Sequence, residues 1–134
     1  MKIGMTIGKE MTPAPRCVEA GARLLLAQEL MRRHDIRHLP VTEKGTLCGI
    51  LSERDVNLAL SLAAHIIDED KILVGDVCVR DPYLVEPDKA LSTVATEMAQ
   101  RRIGSVLVVK NNKLVGMFTT TDACRCLGER LEDA

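Results

Sequence analysis

Aromatic residues are almost absent from this chain of 134 residues, in which Tyr83 and Phe118 are the only ones. Flat side chains on which unpaired bases stack are therefore scarce, which argues against a module that binds single-stranded RNA. Neither sign of charge is in excess, because the chain has 18 lysines and arginines and 19 acidic residues, which gives a net charge of -1. No overall field would draw the protein to nucleic acid or to an anionic membrane, so any anion site has to be local.

Long apolar stretches are missing as well. No run of about 18 uninterrupted apolar residues occurs, and glycines and polar residues interrupt the amino terminus, so the sequence predicts neither a membrane span nor a secretory signal. The five cysteines are odd in number and never form the C-x-x-C spacing of a zinc ribbon, so we expect most of them to be small buried thiols and predict no metal site. These absences together predict a cytoplasmic protein.

What the chain does contain is an internal repeat. Shifting the sequence by 67 positions aligns residues 1–67 with residues 68–134 without a gap, and the matches are of the kind that fix turns and core positions. Examples are Gly8 with Gly75, Pro15 with Pro82, Met31 with Met98, Gly49 with Gly116, and Asp55 with Asp122. The register predicts two domains, residues 1–67 and 68–134.

Each copy predicts the same succession of elements: a short strand, a proline-bearing loop, a helix, a β-hairpin and a closing helix. The expected bounds are strands at 5–7 and 72–74, hairpins at 37–42 with 46–52 and 105–110 with 113–119, and closing helices at 53–66 and 121–131. Asp88 would cap the first helix of the second copy. Lys44-Gly45 and Asn111-Asn112 would form the hairpin turns, because glycine and asparagine tolerate positive φ.

One copy alone has too few residues to bury two amphipathic helices and a sheet. We therefore expect an α/β (α+β) fold in which two units, each a small three-stranded sheet with two helices, pack about a pseudo-twofold axis. Clefts at the junction of two units commonly bind small ligands, which makes the two related clefts the predicted binding sites.

Both copies place a hydroxyl and an acid three residues apart where the last strand gives way to a helix: Ser52 with Asp55, and Thr119 with Asp122. This spacing is typical of a capping box, which only stabilises the start of a helix. It also suits a nucleotide, because a helix start favours phosphate and an aspartate there can accept hydrogen bonds from ribose hydroxyls. Both interpretations can hold at once.

The segments I-R-H-L-P-V at 36–41 and G-I-L-S-E-R-D at 49–55 resemble the CBS domain, and the doubled chain resembles a CBS pair, or Bateman module. The resemblance includes the M-T-P loop at 11–13 and covers almost the whole chain. It implies tandem CBS domains that bind an adenosine compound (AMP, ADP, ATP, S-adenosylmethionine or NAD(H)) between the copies and regulate a protein partner. No nucleophile, base and orienting acid occur in a recognisable arrangement, so we expect no enzymatic activity, no catalytic residues and no required cofactor.

By the same resemblance, Asp55 would hold the ribose hydroxyls, and Ser52 and Arg54 would lie near phosphate. The complete first site would comprise Lys9, Met11, Thr12, Ile36, Arg37, His38, Pro40, Ile50, Ser52, Arg54 and Asp55. The second site, expected to be weaker, would comprise Asp76, Cys78, Ile103, Gly104, Ser105, Met117, Thr119, Thr121 and Asp122. Pro40 lacks the N–H of a ladder bond, so we expect it at a strand edge or beside a ligand.

The copies differ most in the charge around the motif. Gly104, Ser105 and Thr121 stand in the second copy where the first has Arg37, His38 and Arg54. Only the first copy is therefore suited to polyphosphate. Arg32 and Arg33 are better explained as a solvated helix end, where cations favour the helix dipole.

These features predict a non-enzymatic sensor of an adenine nucleotide. The alternative is a ligand-free module for dimerisation or interaction. Since no catalytic, channel or DNA-binding segment accompanies the repeat, the output would pass through another chain. We therefore predict an unidentified protein partner and a homodimer whose exposed helix faces pair, with Leu58 and Leu62 among them.

Overall fold

The computed structural model describes residues 5–133, and the chain divides into two compact units. The continuous unit is Arg16–Pro82, and the split unit combines Met1–Pro15 with Tyr83–Ala134. Each unit therefore contains the sheet of one sequence copy together with the first part of the other copy. We call these first parts, up to Pro15 in the first copy and residues 68–82 in the second, the leading segments. The division of the sequence at 67/68 describes the repeat and stays a prediction, since the units are defined by packing.

The chain alternates short helices and strands. In chain order the elements are α1 (Ile7–Glu10), β1 (Thr12–Pro13), β2 (Val18–Glu19), α2 (Leu24–His34), β3 (His38–Glu43), β4 (Thr46–Ser52), α3 (Glu53–Ala63), a 3₁₀ turn (Glu69–Lys71), α4 (Val74–Val77), β5 (Leu84–Val85), α5 (Leu91–Arg101), β6 (Ser105–Lys110), β7 (Lys113–Thr119) and α6 (Thr120–Glu132). None of the described helices combines the length and apolar character needed to cross a bilayer. The mixed α/β class is confirmed.

The sheets follow the repeat. In the continuous unit β2 runs parallel to β3 and β3 antiparallel to β4, which gives the predicted three strands. In the split unit β5, β6 and β7 are arranged in the same way, and β1 adds a fourth short strand beside β7 that was not predicted. The hairpin turns are confirmed: φ is 52° at Lys44 and 79° at Gly45. In the second hairpin φ is 52° at Asn111 and 62° at Asn112.

Each unit has its own hydrophobic core, to which one long helix contributes a buried stripe at helical spacing. Leu24, Ala27 and Met31 are the buried residues of α2, and Leu91, Val94 and Met98 are those of α5. The other core residues of the continuous unit are Val18, Ala20, Leu39, Val41, Leu51, Val56 and Val74. Those of the split unit are Ile7, Val85, Val106, Val108, Phe118 and Cys126.

The strands predicted at 5–7 and 72–74 are wrong. Ile7 begins α1 and Val74 begins α4, and both side chains are fully buried. Only isolated β-bridges form beside them, at Thr6 and Leu73. A short apolar segment does not distinguish a strand from the first turn of a helix, and in both segments only the last residue is buried.

The start predicted for α5 after Asp88 is also wrong, because the helix begins at Leu91. Residues 86–89 form a turn that is paired with the leading segment of the chain. Ile7 N–H donates to the Lys89 carbonyl at 2.9 Å, and Gly8 N–H donates to the Pro87 carbonyl at 2.9 Å. A Cβ on Gly8 would lie 2.9 Å from that same Pro87 oxygen, so this close backbone approach requires glycine.

Candidate functional site

A leading segment lies against the last hairpin strand in each unit. In the split unit Thr12 pairs with Met117 of β7. In the continuous unit Val79 pairs with Ile50 of β4 through two backbone hydrogen bonds of 2.9 Å. The repeat offset of 67 relates Thr12 to Val79 and Ile50 to Met117, so the two pairings are equivalent.

This packing exchanges the leading segments between the two predicted sites. Lys9, Met11 and Thr12 belong to the unit that contains Asp122, with Lys9 exposed and Met11 packed on the core. Asp76 and Cys78 belong to the unit that contains Asp55, where Asp76 caps α4 by accepting the Leu73 N–H at 3.1 Å. The sequence had grouped each of these residues with the other motif. Their role in binding stays a prediction.

The paired glycines of the last strands make room for the leading segments. A Cβ on Gly49 would lie 2.6 Å from the Val79 carbonyl oxygen and 3.2 Å from Cys78 Sγ. A Cβ on Gly116 would collide with the Met11 side chain, whose Cγ would be 2.8 Å away. Both glycines contact the segment that crosses the strand, but the obstacle is backbone at Gly49 and a flexible side chain at Gly116, so the need for glycine is stricter at Gly49.

In the continuous unit the motif acid is left open. Ser52 caps α3, and its Oγ accepts a hydrogen bond from the Asp55 N–H at 3.1 Å. Glu53 N–H donates to the Arg37 carbonyl at 2.8 Å, which fixes the helix start against β3. Within residues 5–133 the half-buried Asp55 carboxylate accepts no hydrogen bond and forms no ion pair. Only the hydroxyl half of the predicted capping box is present here.

In the split unit the motif acid is fully engaged. Thr119 and Asp122 form the complete capping box at the start of α6. Asp122 Oδ2 accepts the Thr119 N–H at 3.0 Å, and Thr12 Oγ1 donates to Oδ1 and Oδ2 at 3.3 and 3.4 Å. The Arg125 guanidinium lies 3.8 Å from Oδ1. The structural interpretation of the motif is therefore realised in the second copy.

A depression of about 360 Å³ opens beside Ser52 in the continuous unit. Its lining consists of Arg37, His38, Ser52, Glu53, Arg54 and Asn57. Glu53 and Asn57 were missed by the sequence prediction, although helical spacing could have found Asn57, which lies one turn beyond Arg54 on α3. Asp55 does not line the depression. Its carboxylate is nevertheless close enough to His38 to act on the pKa of that imidazole.

His38 is the half-buried base of this group. Burial lowers the pKa of His38 below its ordinary value of 6.5, and the Asp55 carboxylate partly opposes that effect. The Arg37 cation lowers the pKa further and the Glu53 carboxylate raises it. At neutral pH His38 is therefore an uncharged hydrogen-bonding group between two exposed arginines, Arg37 and Arg54.

Pro40 lies in β3, the central strand of its sheet, and is buried. Here β3 is nonetheless a local edge, because β2 pairs only with Val41 and Thr42. The polar backbone groups of Ile50, which faces Pro40, are both bonded to Val79, so the proline interrupts no bond to β4. Leu107 at the equivalent place in the split unit donates its N–H to the Tyr83 carbonyl at 3.0 Å, a bond that proline cannot make.

The two isoleucines of the predicted sites have structural surroundings. Ile36 and Ile103 pack on the cores, and their N–H groups donate to the carbonyls of Met31 and Met98 at 3.0 and 3.1 Å. The other predicted residues of the second copy surround the capping box. Met117 is buried, Ser105 faces Thr119 across the hairpin, the Gly104 carbonyl accepts the Thr120 N–H at 3.1 Å, and Thr121 is exposed.

A second depression of about 460 Å³ lies between α2 and α3 in the continuous unit. Its charged lining includes Arg32 and Arg37, but also the acids Glu29, Asp35 and Glu53. Arg32 and Arg33 both pair with Glu29, which fits a solvated helix end. Three carboxylates make this depression a poorer place for phosphate than the one beside Ser52.

Comparison with known proteins agrees with the tandem geometry. The model of the CBS domain matches the chain twice, at residues 6–62 and 74–129. Hypoxic response protein 1 of Mycobacterium tuberculosis is 29% identical over 127 residues, which cover 93% of this chain and 87% of that protein. The chain therefore belongs to the CBS domain family, as a pair of CBS domains.

Solved structures show the same fold. A Vibrio cholerae protein assigned to acetoin utilization (AcuB) is similar with a TM-score of 0.84 and 29% identity, covering 97% of this chain and 95% of that one. CBSX2, solved in complex with AMP, is similar with a TM-score of 0.77 and 25% identity, covering 94% of this chain and 98% of that one. A bound adenine nucleotide is thus recorded for a structural neighbour.

Proposed function

We propose that this CBS pair is a regulatory module that binds an adenosine-containing nucleotide at the Ser52–Asp55 motif of the continuous unit. The observation that carries the proposal is the Asp55 carboxylate, which accepts no hydrogen bond from the described residues although it lies beside a depression with two arginines. A carboxylate has two oxygens, and the two vicinal ribose hydroxyls can donate one hydrogen bond to each of them.

The phosphate would lie against the depression beside Ser52. Arg37 and Arg54 supply cations, and the start of α3 adds the partial positive charge of a helix amino terminus. Glu53 offsets one of the two arginines, and His38 is uncharged at neutral pH, so the lining carries about one net positive charge. One phosphate suits this charge better than three, which favours AMP over ADP and ATP. The AMP complex of CBSX2 supports the same choice.

Among the adenosine compounds, S-adenosylmethionine and NAD(H) fit the depression less well. S-adenosylmethionine brings a positive sulfonium towards Arg37 and Arg54, and NAD(H) brings a second nucleoside. The proposed role is regulatory and non-enzymatic, with cytoplasm as the expected location and an unidentified protein as the partner that receives the signal.

Calorimetry tests this proposal directly. We expect the parent chain to bind AMP more tightly than ATP, S-adenosylmethionine or NADH. Asp55→Ala should weaken AMP binding by about 100-fold, since about two charge-assisted hydrogen bonds are lost. The matched variant Asp122→Ala should leave AMP binding unchanged. Absence of heat with all of these compounds, from a protein whose circular dichroism shows it folded, would reject the proposal.

Exposed leucines support a homodimer. Leu58 and Leu62, one turn apart on α3, are 56% and 67% exposed, and Leu127 and Leu131 on α6 are 60% and 66% exposed. Apolar stripes of this kind on helices favour contact with another protein surface. We expect light scattering to give twice the mass of the chain, and Leu62→Glu to give a monomer, with Glu132→Gln as a surface control. A parent monomer at working concentration would contradict this part of the proposal.

The same leucines also favour the alternative, a ligand-free interaction module. That alternative predicts no change in melting temperature with any nucleotide, in the parent or in Asp55→Ala. A shift of the parent with AMP that Asp55→Ala abolishes would reject it.

A further inference from the structure

One difference between the two motif acids lies at a single position of the leading segments. Thr12 pairs with Met117, and Val79 pairs with Ile50. The offset of 67 relates both members of the two pairs, so Thr12 and Val79 occupy equivalent places beside the last hairpin strands. Their side chains differ in what they can offer the neighbouring acid.

Those side chains have nearly the same shape and opposite hydrogen-bonding capacity. The Thr12 hydroxyl donates to Asp122, and its bond of 3.3 Å is the one hydrogen bond that Oδ1 accepts from the described residues. Oδ2 is already held by the Thr119 N–H and hydroxyl, at 3.0 and 3.3 Å. Val79 has methyl groups only, and it offers Asp55 no donor.

A ribose would need the acceptor positions that Thr12 holds. The Asp122 side chain is only 14% exposed, so a hydroxyl that approaches it has to displace the internal donors rather than add to them. Exchange of one hydroxyl donor for another leaves little net free energy for binding. At Asp55 no donor from residues 5–133 has to be displaced, only water, so the net gain of each new charge-assisted bond is available.

We infer that Thr12 and Val79 determine which motif acid is open to a nucleoside: Thr12 closes Asp122, and Val79 leaves Asp55 open. The inference rests on the proposed function, in which the motif acid accepts the ribose hydroxyls. It assigns a specificity-determining role to a position in the leading segment, outside the hydroxyl-acid motif itself.

Isosteric exchanges at the two positions test the inference. Thr12→Val removes the hydroxyl while keeping a β-branched side chain in the short strand with β7, and Thr12→Ser is the control that keeps a donor. Val79→Thr is the reciprocal change, and Val79→Ile is its control without a donor. Circular dichroism melting checks that each variant is folded.

Calorimetry with adenosine and AMP in an Asp55→Ala background reads the Asp122 site alone. We expect Thr12→Val to create one site per chain, lost again on Asp122→Ala, and Thr12→Ser to create none. The preference for AMP over adenosine should be smaller at this new site than at Asp55, because Gly104 and Thr121 stand where the first copy has Arg37 and Arg54. In the otherwise unchanged chain, Val79→Thr should weaken AMP binding about tenfold, and Val79→Ile should not.

The outcomes separate this inference from the proposed function. If the parent binds AMP and folded Thr12→Val gains no site, Thr12 does not close Asp122 and the inference is overturned. If the parent does not bind but Thr12→Val gains a site that needs Asp122, the inference holds and the proposed site at Asp55 is wrong. If neither protein binds, both are rejected.

Discussion

The last strand gives way to a helix in the same manner in both units, with Ser52 before α3 and Thr119 before α6. Beyond this shared start the two regions differ. Asp122 is bonded to its own capping residue and to Thr12, whereas the Asp55 carboxylate accepts nothing from the described chain. The same position of the motif thus stabilises the helix start in the split unit and, under the proposed function, would bind the ribose in the continuous unit.

Two further differences follow the same division. The continuous unit has arginines beside its open acid, and the split unit has none at the equivalent positions 104 and 121. The leading segment contributes its backbone against Gly49 in one unit and the flexible Met11 side chain against Gly116 in the other. The two units therefore share their backbone arrangement and differ in the side chains around the motif.

The largest effect on stability should distinguish the two glycines. Gly49→Ala would bring a Cβ against the Val79 carbonyl oxygen, which cannot move without breaking its pairing with Ile50. We expect a loss of about 1–3 kcal/mol in the free energy of unfolding, measured with urea. Gly116→Ala meets the Met11 thioether, which can rotate away, so it should cost less. Equal costs would show that the leading segments pack alike in the two units.

Replacing Asp55 or Asp122 by alanine should show which of the two motif acids stabilises the fold. Asp122→Ala loses the capping box and the Thr12 bond, and we expect a cost of about 1–2 kcal/mol in urea unfolding. Asp55→Ala loses only a favourable charge at a helix start, at a cost of about 0.5 kcal/mol. A larger cost for Asp55→Ala than for Asp122→Ala would mean that Asp55 is the acid that stabilises the fold.

Arg54 should matter for phosphate and not for the nucleoside. We expect Arg54→Ala to weaken AMP binding about fivefold, or about 1 kcal/mol, because one exposed charged donor is lost. Adenosine binding should not change. Thr121→Ala is the matched control in the second copy, and calorimetry in low salt is the measurement. Equal losses for AMP and adenosine would remove Arg54 from the phosphate region.

The smallest effect concerns pH and His38. Burial lowers its pKa when the chain folds, so between that lowered value and 6.5 the unfolded chain binds more protons than the folded one. The free energy of unfolding should therefore fall as the pH decreases from 6.5 towards the lowered pKa. Above pH 6.5 His38 should make no pH-dependent contribution to it. His38→Gln should reduce the slope, measured by urea unfolding from pH 7.5 to 5. An unchanged slope would show that His38 is not the group responsible.

The repeat made most of the fold predictable, because glycines, prolines and apolar periodicity determine local geometry. The hairpins and the helices that follow them lie close to where the sequence places them. The path of the leading segments could not be predicted, since both copies offer equivalent strands and a repeat cannot say which strand a segment will join. The short strand predicted at 5–7 was wrong for a different reason: Ile7 is buried in a helix start that is held by hydrogen bonds to residues 87–89, which lie far away in the sequence.

The candidate site, too, could be predicted only in part from the sequence. The charge difference at Arg37, His38 and Arg54 could be read from the sequence, and the structure places all three at one depression. The unequal use of Asp55 and Asp122 could not, because it depends on Thr12, a residue 110 positions away from Asp122. Distant partners of this kind are invisible to spacing rules, which describe only neighbours along the chain.

A crystal structure of the chain grown with a mixture of AMP, ATP, S-adenosylmethionine and NADH would show which motif acid holds a nucleotide. We expect electron density for AMP in the continuous unit, with its ribose hydroxyls within hydrogen-bond distance of Asp55, while Asp122 still accepts the hydrogen bond from Thr12. Nucleotide bound to Asp122 with the Thr12 bond broken, and no ligand at Asp55, would contradict it.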